Sequence, residues 1–307
     1  MREGAESLLA MARLAVRGLR PPKTGGAARS APRRRIAVER RGTVPPPERI
    51  DAYLRATDGT RIAAFQGPEG RVPPVYSATW ETRAALSLLT QVADSLPSFG
   101  GVIHLESETI PLRPFHPGDR VRSRVELERA EETPRGVRLQ VASRHWNGAD
   151  QLCSEGSAVY LVRSRGGDGA SRGVRGPDRE GTPGAPEASW EEVARWEVGG
   201  GAGRRYARAS GDYNPIHLWG WTARVFGYRR PILHGYCIEA MVAHALIEHR
   251  LRGDPAALRR LRIAFRAPLL LPARVRLLVG DAGGRRVFRV APDVGGKPFA
   301  EGDFTAE

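Results

Sequence analysis

The pattern of apolar and polar positions divides this chain into two similar runs of predicted structure. Apolar residues recur at helical spacing near residues 76–94 and again after residue 235. In the second helix this face consists of Ile238, Met241, Val242, Ala245 and Leu246. Four strand-like segments follow each helix, at 99–112, 119–132, 136–148 and 152–164, and at 258–269, 273–281, 285–293 and 297–307. One helix followed by four strands, twice over, indicates an internal structural repeat.

A long helix covered by an antiparallel sheet is an α+β layer arrangement. Each predicted unit can cover one face of its sheet with its own helix, and the exposed sheet edges pair most simply with each other. We therefore predict one continuous sheet and a pseudodimer within a single chain. A homodimer is compatible with this architecture but is not required by it.

Residues rich in Gly and Pro set the predicted domain boundaries. Residues 1–50 contain "PPK", "APRRR" and "VPPP", and we expect a basic, disordered extension there. Residues 164–188 hold seven glycines and almost nothing to bury, which is typical of a flexible linker. The predicted units are therefore 51–163 and 189–307.

The net charge of +14 changes little in this picture. Only Lys23 and Lys297 are lysines, so the charge is almost all Arg, as expected from a GC-rich genome. Residues 1–50 carry 12 Lys and Arg against 4 Glu, which leaves the rest only mildly basic. We expect no nucleic-acid binding; a mildly basic surface suits an anionic carrier such as coenzyme A or the phosphopantetheine of an acyl carrier protein.

The expected location is the cytoplasm. The chain has no uninterrupted apolar run of 18 residues, so no membrane span is expected. The N-terminus lacks the apolar region of a secretory signal, and Glu3 and Glu6 count against a transit peptide. Cys153 and Cys237 lie far apart with no second pair, which predicts neither a disulfide framework nor a thiolate zinc site.

The stretch "ASGDYNPIHLW", residues 209–219, carries the candidate chemistry. Pro215 biases Asn214 toward extended geometry, so the loop that holds Asp212 and His217 is predicted to be stiff. An ionised carboxylate and an imidazole on one stiff loop can hold a water and exchange protons with it. From these residues alone, an ordinary Asx-type turn remains the alternative.

The second candidate segment is "RPILHGY", where the buried helix begins. Gly235 is predicted in the first helical turn, where its N–H points outward with the positive end of the helix dipole behind it. Such a donor suits a thioester carbonyl that becomes enolate-like during reaction. His234 can equally be a helix N-terminal residue whose ring is satisfied locally.

"YARASGDYNPIH" followed by "TARVFGYRRPILHG" resembles the signature of the MaoC-like (R)-specific enoyl-CoA hydratase family. The resemblance implies a hotdog fold and hydration of trans-2-enoyl thioesters, or dehydration of (R)-3-hydroxyacyl thioesters, without cofactor or metal. It implies catalytic roles for Asp212 and His217 and an oxyanion-binding role for Gly235. Asn214 takes the supporting role that the resemblance implies, and we add Ser210 and His234 to the predicted supporting residues.

From about residue 51 the chain also resembles the two-hotdog members of that family. In those proteins only the C-terminal unit keeps the catalytic Asp and His, which correspond here to Asp212 and His217 and are called the dyad below. The first unit has "VPPVYSATW" before its helix and no Asp-x-Asn-Pro-x-His. The loss of that loop leaves room for an acyl chain, and we predict a tunnel lined by Pro74, Tyr76 and Trp80. Without an acidic partner at dyad spacing, three histidines are predicted to be structural or at the surface: His104, His116 and His145.

Two further functions remain open at this point. One is a non-catalytic hotdog that binds acyl thioesters or serves as a scaffold for another subunit, although a binding module has no need of a water-activating pair. The other is a hotdog thioesterase, which usually places a carboxylate on the central helix, where Glu239 is predicted. The Asn-Pro-x-His context favours the hydratase, a hydro-lyase that acts on acyl-CoA or an acyl-carrier thioester.

Overall fold

The computed structural model describes residues 36–92, 102–163 and 189–307, with backbone only for 89–92. Its strands are β1 Ala37–Thr43, β2 Val102–Pro111, β3 Arg120–Thr133, β4 Gly136–Asn147, β5 Leu152–Arg163, β6 Glu191–Val198, β7 Leu258–Phe265, β8 Ala273–Ala282, β9 Arg285–Pro292 and β10 Ala300–Ala306. Its α-helices are α1 Pro47–Ala56, α2 Ala78–Val92, α3 Ala202–Ser210, α4 Gly220–Val225 and α5 Gly235–Arg250. Short 3₁₀ turns cover Ala63–Phe65, Pro74–Ser77, Pro215–His217 and Pro255–Ala257.

The strands of the described residues form one antiparallel sheet in which the same order occurs twice. The first unit runs β1-β3-β4-β5-β2, and the second runs β6-β8-β9-β10-β7 in reverse along the sheet. The two units meet where β2 pairs with β7, with Glu106 opposite Ala264 and Thr109 opposite Leu261. The predicted repeat and the predicted continuous sheet are therefore confirmed, and the fold is an α+β double hotdog.

The two long helices lie at equivalent places in the two units but are buried to different degrees. Every residue of α5 from Tyr236 to Ile247 is buried, as the apolar and small residues around this helix predict. Helix α2 buries Ala84, Ala85 and Leu88 in a second apolar cluster with β3, β4 and β5. The first turn of α5 is thus held rigidly at the centre of the molecule, where it positions the site described below.

The predicted disordered extension is wrong from residue 36 onward. Strand β1 pairs with β3 along its whole length, and α1 buries Ile50, Tyr53 and Leu54. The strand was missed because most of its side chains are exposed, so backbone pairing holds it without an apolar alternation. The helix did leave a signal, since Ile50, Tyr53 and Leu54 have the i, i+3, i+4 spacing of one helical face.

Three other predictions concern the extension and linker, the cysteines and a membrane span. Residues 1–35 and the predicted linker at 164–188 lie outside the described residues. Cys153 and Cys237 are buried free thiols. In the part of the chain that the structure describes, no helix combines the length and apolar character needed to cross a bilayer.

Candidate active site

The loop after α3 is fixed by hydrogen bonds among its own residues. Helix α3 ends at Gly211, whose φ of +82° is a left-handed conformation that glycine adopts without strain. The Asp212 carboxylate accepts the Asn214 N–H at 3.1 Å, and the Asn214 side chain accepts the Ile216 N–H at 3.4 Å. Ser210 Oγ accepts the Asp212 N–H at 3.2 Å. These side chains shape the loop and leave part of the Asp212 side chain exposed to the cleft.

His217 is buried at the end of this loop with its tautomer fixed. Its Nδ1 lies 2.9 Å from the carbonyl oxygen of Ile232. Because a carbonyl only accepts, Nδ1 carries the proton and Nε2 presents a lone pair. Burial and, to a smaller extent, neighbouring His234 lower the pKa of His217 to about 3, while Asp212 and the hydrogen bond to Ile232 oppose the shift. At neutral pH His217 is therefore an unprotonated base.

His234 immediately precedes α5 and packs against His217. The two rings stack with their centroids 3.7 Å apart and their planes at 28°. His234 Nε2 donates to the backbone carbonyl of Asp212 at 3.0 Å, and burial lowers the pKa of His234 to about 3. His234 therefore joins the two members of the predicted dyad: it stacks on one and hydrogen-bonds the backbone of the other.

The ligating atoms of Asp212, His217 and His234 lie within 4.8 Å of one another, which raises the question of a metal ion. A bound zinc needs its histidine nitrogens at about 2.0 Å, with each lone pair directed at the ion. Two stacked rings hold their lone pairs in nearly parallel planes, so they do not converge on a single point. The arrangement suits proton exchange better than metal binding.

Gly235 begins α5, as predicted, and faces a side chain from the other unit. A Cβ atom built on Gly235 would lie 2.7 Å from His104 Nδ1 and 3.0 Å from the Phe265 ring. A larger residue therefore does not fit there. The first N–H groups of an α-helix have no intrahelical acceptor, and the His234 side chain does not cap them. The Gly235 N–H is available to a ligand oxygen in the cleft.

These groups line one cleft between the two units. The second unit contributes the 212–217 loop, the start of α5 and residues 265–269. The first unit contributes Thr82, Tyr160 and residues 102–105. His104 therefore lines the cleft, a placement that the sequence did not predict. Sequence reasoning missed it because β2 reaches the dyad only through the joined sheet.

The tunnel residues predicted in the first unit lie elsewhere. Pro74 and Trp80 line a second cleft, formed by the start of α2, residues 111–115 and residues 255–259. Tyr76 is buried and packs its ring between Tyr53 and Trp80. This second cleft is the repeat-related counterpart of the dyad cleft. The predicted tunnel residues therefore lie apart from the dyad cleft, where the residue of α2 in the lining is Thr82, and their role in binding an acyl chain stays a prediction.

The two other histidines of the first unit lie outside the dyad cleft. His145 is buried, with Nδ1 2.9 Å from Ser123 Oγ, and burial lowers its pKa to about 3. His116 lies in the loop between β2 and β3, with Nδ1 3.3 Å from the Glu69 carbonyl oxygen. For these two residues the predicted structural or surface placement agrees with the structure.

Two carboxylates are buried behind the cleft. Glu239 of α5 accepts hydrogen bonds from Ser107 and Thr109, and burial raises its pKa to about 7. Glu81 of α2 accepts from Tyr236 and Ser143, and burial raises its pKa. Neither carboxylate lines the dyad cleft.

The chain is similar to known proteins in sequence and in fold. Residues 187–297 match the MaoC like domain. The 3-hydroxyacyl-thioester dehydratase X of Mycobacterium tuberculosis is 28% identical over 232 residues, which span 74% of this chain and 78% of that protein. The crystal structure of HtdX from the same organism is 24% identical, covers 89% of this chain and 100% of that chain, and has a TM-score of 0.67. Another M. tuberculosis protein, described as a double hotdog fold, is 15% identical, covers 88% and 95% of the two chains, and has a TM-score of 0.58.

Proposed function

We propose that this double hotdog chain, whose residues 187–297 are a MaoC-like domain, adds water to trans-2-enoyl thioesters and removes it from (R)-3-hydroxyacyl thioesters. The observation that carries the proposal is the meeting of Asp212, His217 and the start of α5 in one cleft. The similarity to a 3-hydroxyacyl-thioester dehydratase supports the same class of reaction.

The dyad holds the attacking water. His217 Nε2 presents a lone pair, because Nδ1 is committed to the Ile232 carbonyl. Asp212 has one carboxylate oxygen on the Asn214 N–H and a second one free to accept from the water. A water that donates to both groups has its own lone pair directed at the substrate, where it can add to C3.

The start of α5 stabilises the charge that develops on the thioester. As oxygen adds to C3, electrons move from the double bond toward the carbonyl oxygen, and an enolate forms. The Gly235 N–H donates to that oxygen, with the positive end of the α5 dipole behind it. The close approach of His104 and Phe265 keeps this corner of the cleft small.

The proton balance follows from the state of His217. The low pKa of His217 means that it brings no proton of its own to the reaction. The proton that the dyad takes from the water is therefore the one that C2 receives, and hydrogen and hydroxyl add to the same face of the substrate. The overall reaction adds one water to one double bond and is redox-neutral, so acid–base groups suffice for it.

The test is the loss of enoyl absorbance with crotonyl-CoA. Asp212→Asn and His217→Gln should each lower kcat by about a hundredfold or more, the usual size of an acid–base contribution. His249→Gln, at an exposed position near the end of α5, serves as the matched control and should keep the wild-type rate. Full activity in both dyad variants would exclude this mechanism, and tight acyl-CoA binding without turnover in the wild type would point to a binding module.

A thioesterase remains the rival reaction, and Glu239 is the residue that would have to carry it. The Glu239 carboxylate is fully buried and occupied by Ser107 and Thr109, outside the lining of the cleft. We expect no release of free coenzyme A from crotonyl-CoA, measured with a thiol reagent. Release that disappears in Glu239→Gln would favour the thioesterase instead.

A further inference from the structure

The segment 216–232 leaves the dyad loop and returns to it. The Ile232 N–H donates to the Ile216 carbonyl at 3.2 Å, and His217 Nδ1 donates to the Ile232 carbonyl at 2.9 Å. Thr222 Oγ1 bonds the carbonyls of Pro215 and Trp219 at 2.6 and 2.8 Å, which fixes α4 on this base. Both ends of the segment are therefore tied to the loop that holds Asp212 and His217.

The outer face of the segment is unusually apolar. Among the described residues, the exposed large apolar side chains are Leu112, Trp219, Trp221, Val225 and Val294. Three of these five lie within residues 219–225. Trp221 is 68% exposed and Val225 is 74% exposed, and the Trp219 and Trp221 rings stack with centroids 6.4 Å apart. None of the three lines the cleft, so a small ligand held in the cleft would leave them in water.

The same face carries uncompensated positive charge. Arg224, Arg229 and Arg230 are exposed, and they form no hydrogen bond or ion pair with any described residue. Between Asp212 and Glu239 the sequence contains no Asp or Glu. We call the set Trp219, Trp221, Arg224, Val225, Arg229 and Arg230 the Trp–Arg surface.

The Trp–Arg surface adjoins residues that line the cleft. Tyr228 and Ile232 line the cleft, and the chain between them carries Arg229 and Arg230. Arg163, at the end of β5 in the other unit, lies close enough to Tyr228 to oppose the rise in its pKa that burial causes. The Trp–Arg surface therefore borders residues that line the cleft holding Asp212 and His217.

We propose that the Trp–Arg surface docks an acidic acyl carrier protein that delivers the thioester on its phosphopantetheine arm. This inference rests on the proposed function and names its partner. Trp and Arg are the residues that most often dominate protein–protein binding energy. The surface is held rigid before binding, which lowers the entropy cost of docking. A second copy of this chain fits poorly, because a twofold contact would bring the same unpaired arginines together.

The experiment uses the full-length protein and compares the same acyl group carried by coenzyme A and by an acyl carrier protein. Rates are measured with crotonyl-CoA and with a crotonyl-loaded acidic acyl carrier protein, for the wild type, Trp221→Ser and Arg229→Glu. Each variant should raise KM for the loaded carrier protein by about tenfold or more, the size of one interface hot spot. The kcat for both substrates and the KM for crotonyl-CoA should change by less than about threefold. The carrier KM should also rise with salt, since the attraction is screened.

The matched controls are an exposed apolar residue and an exposed arginine outside the Trp–Arg surface. Val294 is 88% exposed, and Arg286 is an exposed arginine at the start of β9. Val294→Ser and Arg286→Glu should leave both substrates unaffected. An equal loss with both substrates in the surface variants would overturn the proposal, since it would mean damage to the cleft or contact with coenzyme A. Unchanged kinetics with the loaded carrier protein would overturn it as well.

Binding measured without turnover separates this proposal from the proposed function. Titration calorimetry uses the phosphopantetheinylated carrier protein without an acyl group. Binding that Trp221→Ser weakens would support docking even if neither thioester were hydrated. Binding to vesicles of phosphatidylcholine and phosphatidylglycerol, with none to the carrier protein, would assign the surface to a membrane and overturn the proposal.

Discussion

The stacked rings of His217 and His234 are held in opposite tautomers by two backbone carbonyls. Ile232 accepts from Nδ1 of His217, and Asp212 accepts from Nε2 of His234. Because the rings are only 3.7 Å apart, any movement of one is transmitted to the other. We therefore propose that His234 positions the predicted dyad of Asp212 and His217.

Replacing His234 should lower kcat without altering substrate affinity. His234→Leu removes the hydrogen bond to the Asp212 backbone and leaves a side chain that still fills the buried space. We expect kcat with crotonyl-CoA to fall by about tenfold, less than for His217→Gln, with KM nearly unchanged. A loss as large as that of His217→Gln would mean that His234 exchanges protons itself, and no loss would remove it from the site.

Replacing Gly203 of α3 should lower both stability and kcat, and Gly200 provides the control. A Cβ on Gly203 would lie 2.1 Å from the carbonyl oxygen of His217, whereas one on Gly200 would have no atom within 4 Å. Gly203→Ala must therefore displace either α3 or the dyad loop. We expect a loss of about 1–3 kcal/mol in unfolding free energy and a lower kcat, and neither effect in Gly200→Ala. Urea unfolding and initial rates on both variants decide the matter.

Gly235 and His104 should be coupled across the two units. Gly235→Ala places a methyl group against His104 Nδ1, so we expect it to destabilise the fold and to slow hydration. His104→Ala opens space on that side. In a double-mutant cycle, the double variant should lose less unfolding free energy than the sum of the two single losses, by about 0.5 kcal/mol or more. Simple additivity would show that the two residues do not meet.

The buried Glu239 predicts a stability that depends on pH. Its pKa of about 7, against an ordinary 4.5, means that the folded state binds more protons than the unfolded state between those values. Its contribution is therefore present below about pH 4.5 and is lost as pH rises through about 7. Glu239→Gln should gain up to about 3 kcal/mol relative to wild type between pH 5 and pH 8.

The comparison with Glu239→Gln isolates this one group. The buried histidines act in the opposite sense, because lowered pKa values such as that of His217 remove stability as pH falls below about 6.5. These effects are common to wild type and variant and cancel in the difference. A difference in unfolding free energy that does not vary with pH would show that the Glu239 carboxyl keeps an ordinary pKa in the fold.

The sequence by itself determined the elements and the local chemistry. Periodicity placed α5 and the eight strands that follow the two long helices, because burial of one face imposes a regular spacing along the chain. The residues of the dyad loop could be found because Pro215, Asn214 and Asp212 act on one another within a few positions. Strand β1 was not predicted, because exposed side chains on a paired edge strand leave no such spacing.

Only the tertiary structure decided what surrounds the dyad. His104, Thr82 and Tyr160 reach the cleft from the first unit because β2 pairs with β7. Pro74 and Trp80, which were predicted to line an acyl tunnel against the first unit's helix, line the repeat-related counterpart of this cleft. The exposure of Trp219 and Trp221 likewise depends on how α4 folds back on Pro215. Contacts between residues more than a hundred positions apart follow from the joining of the two units, which leaves no pattern along the chain.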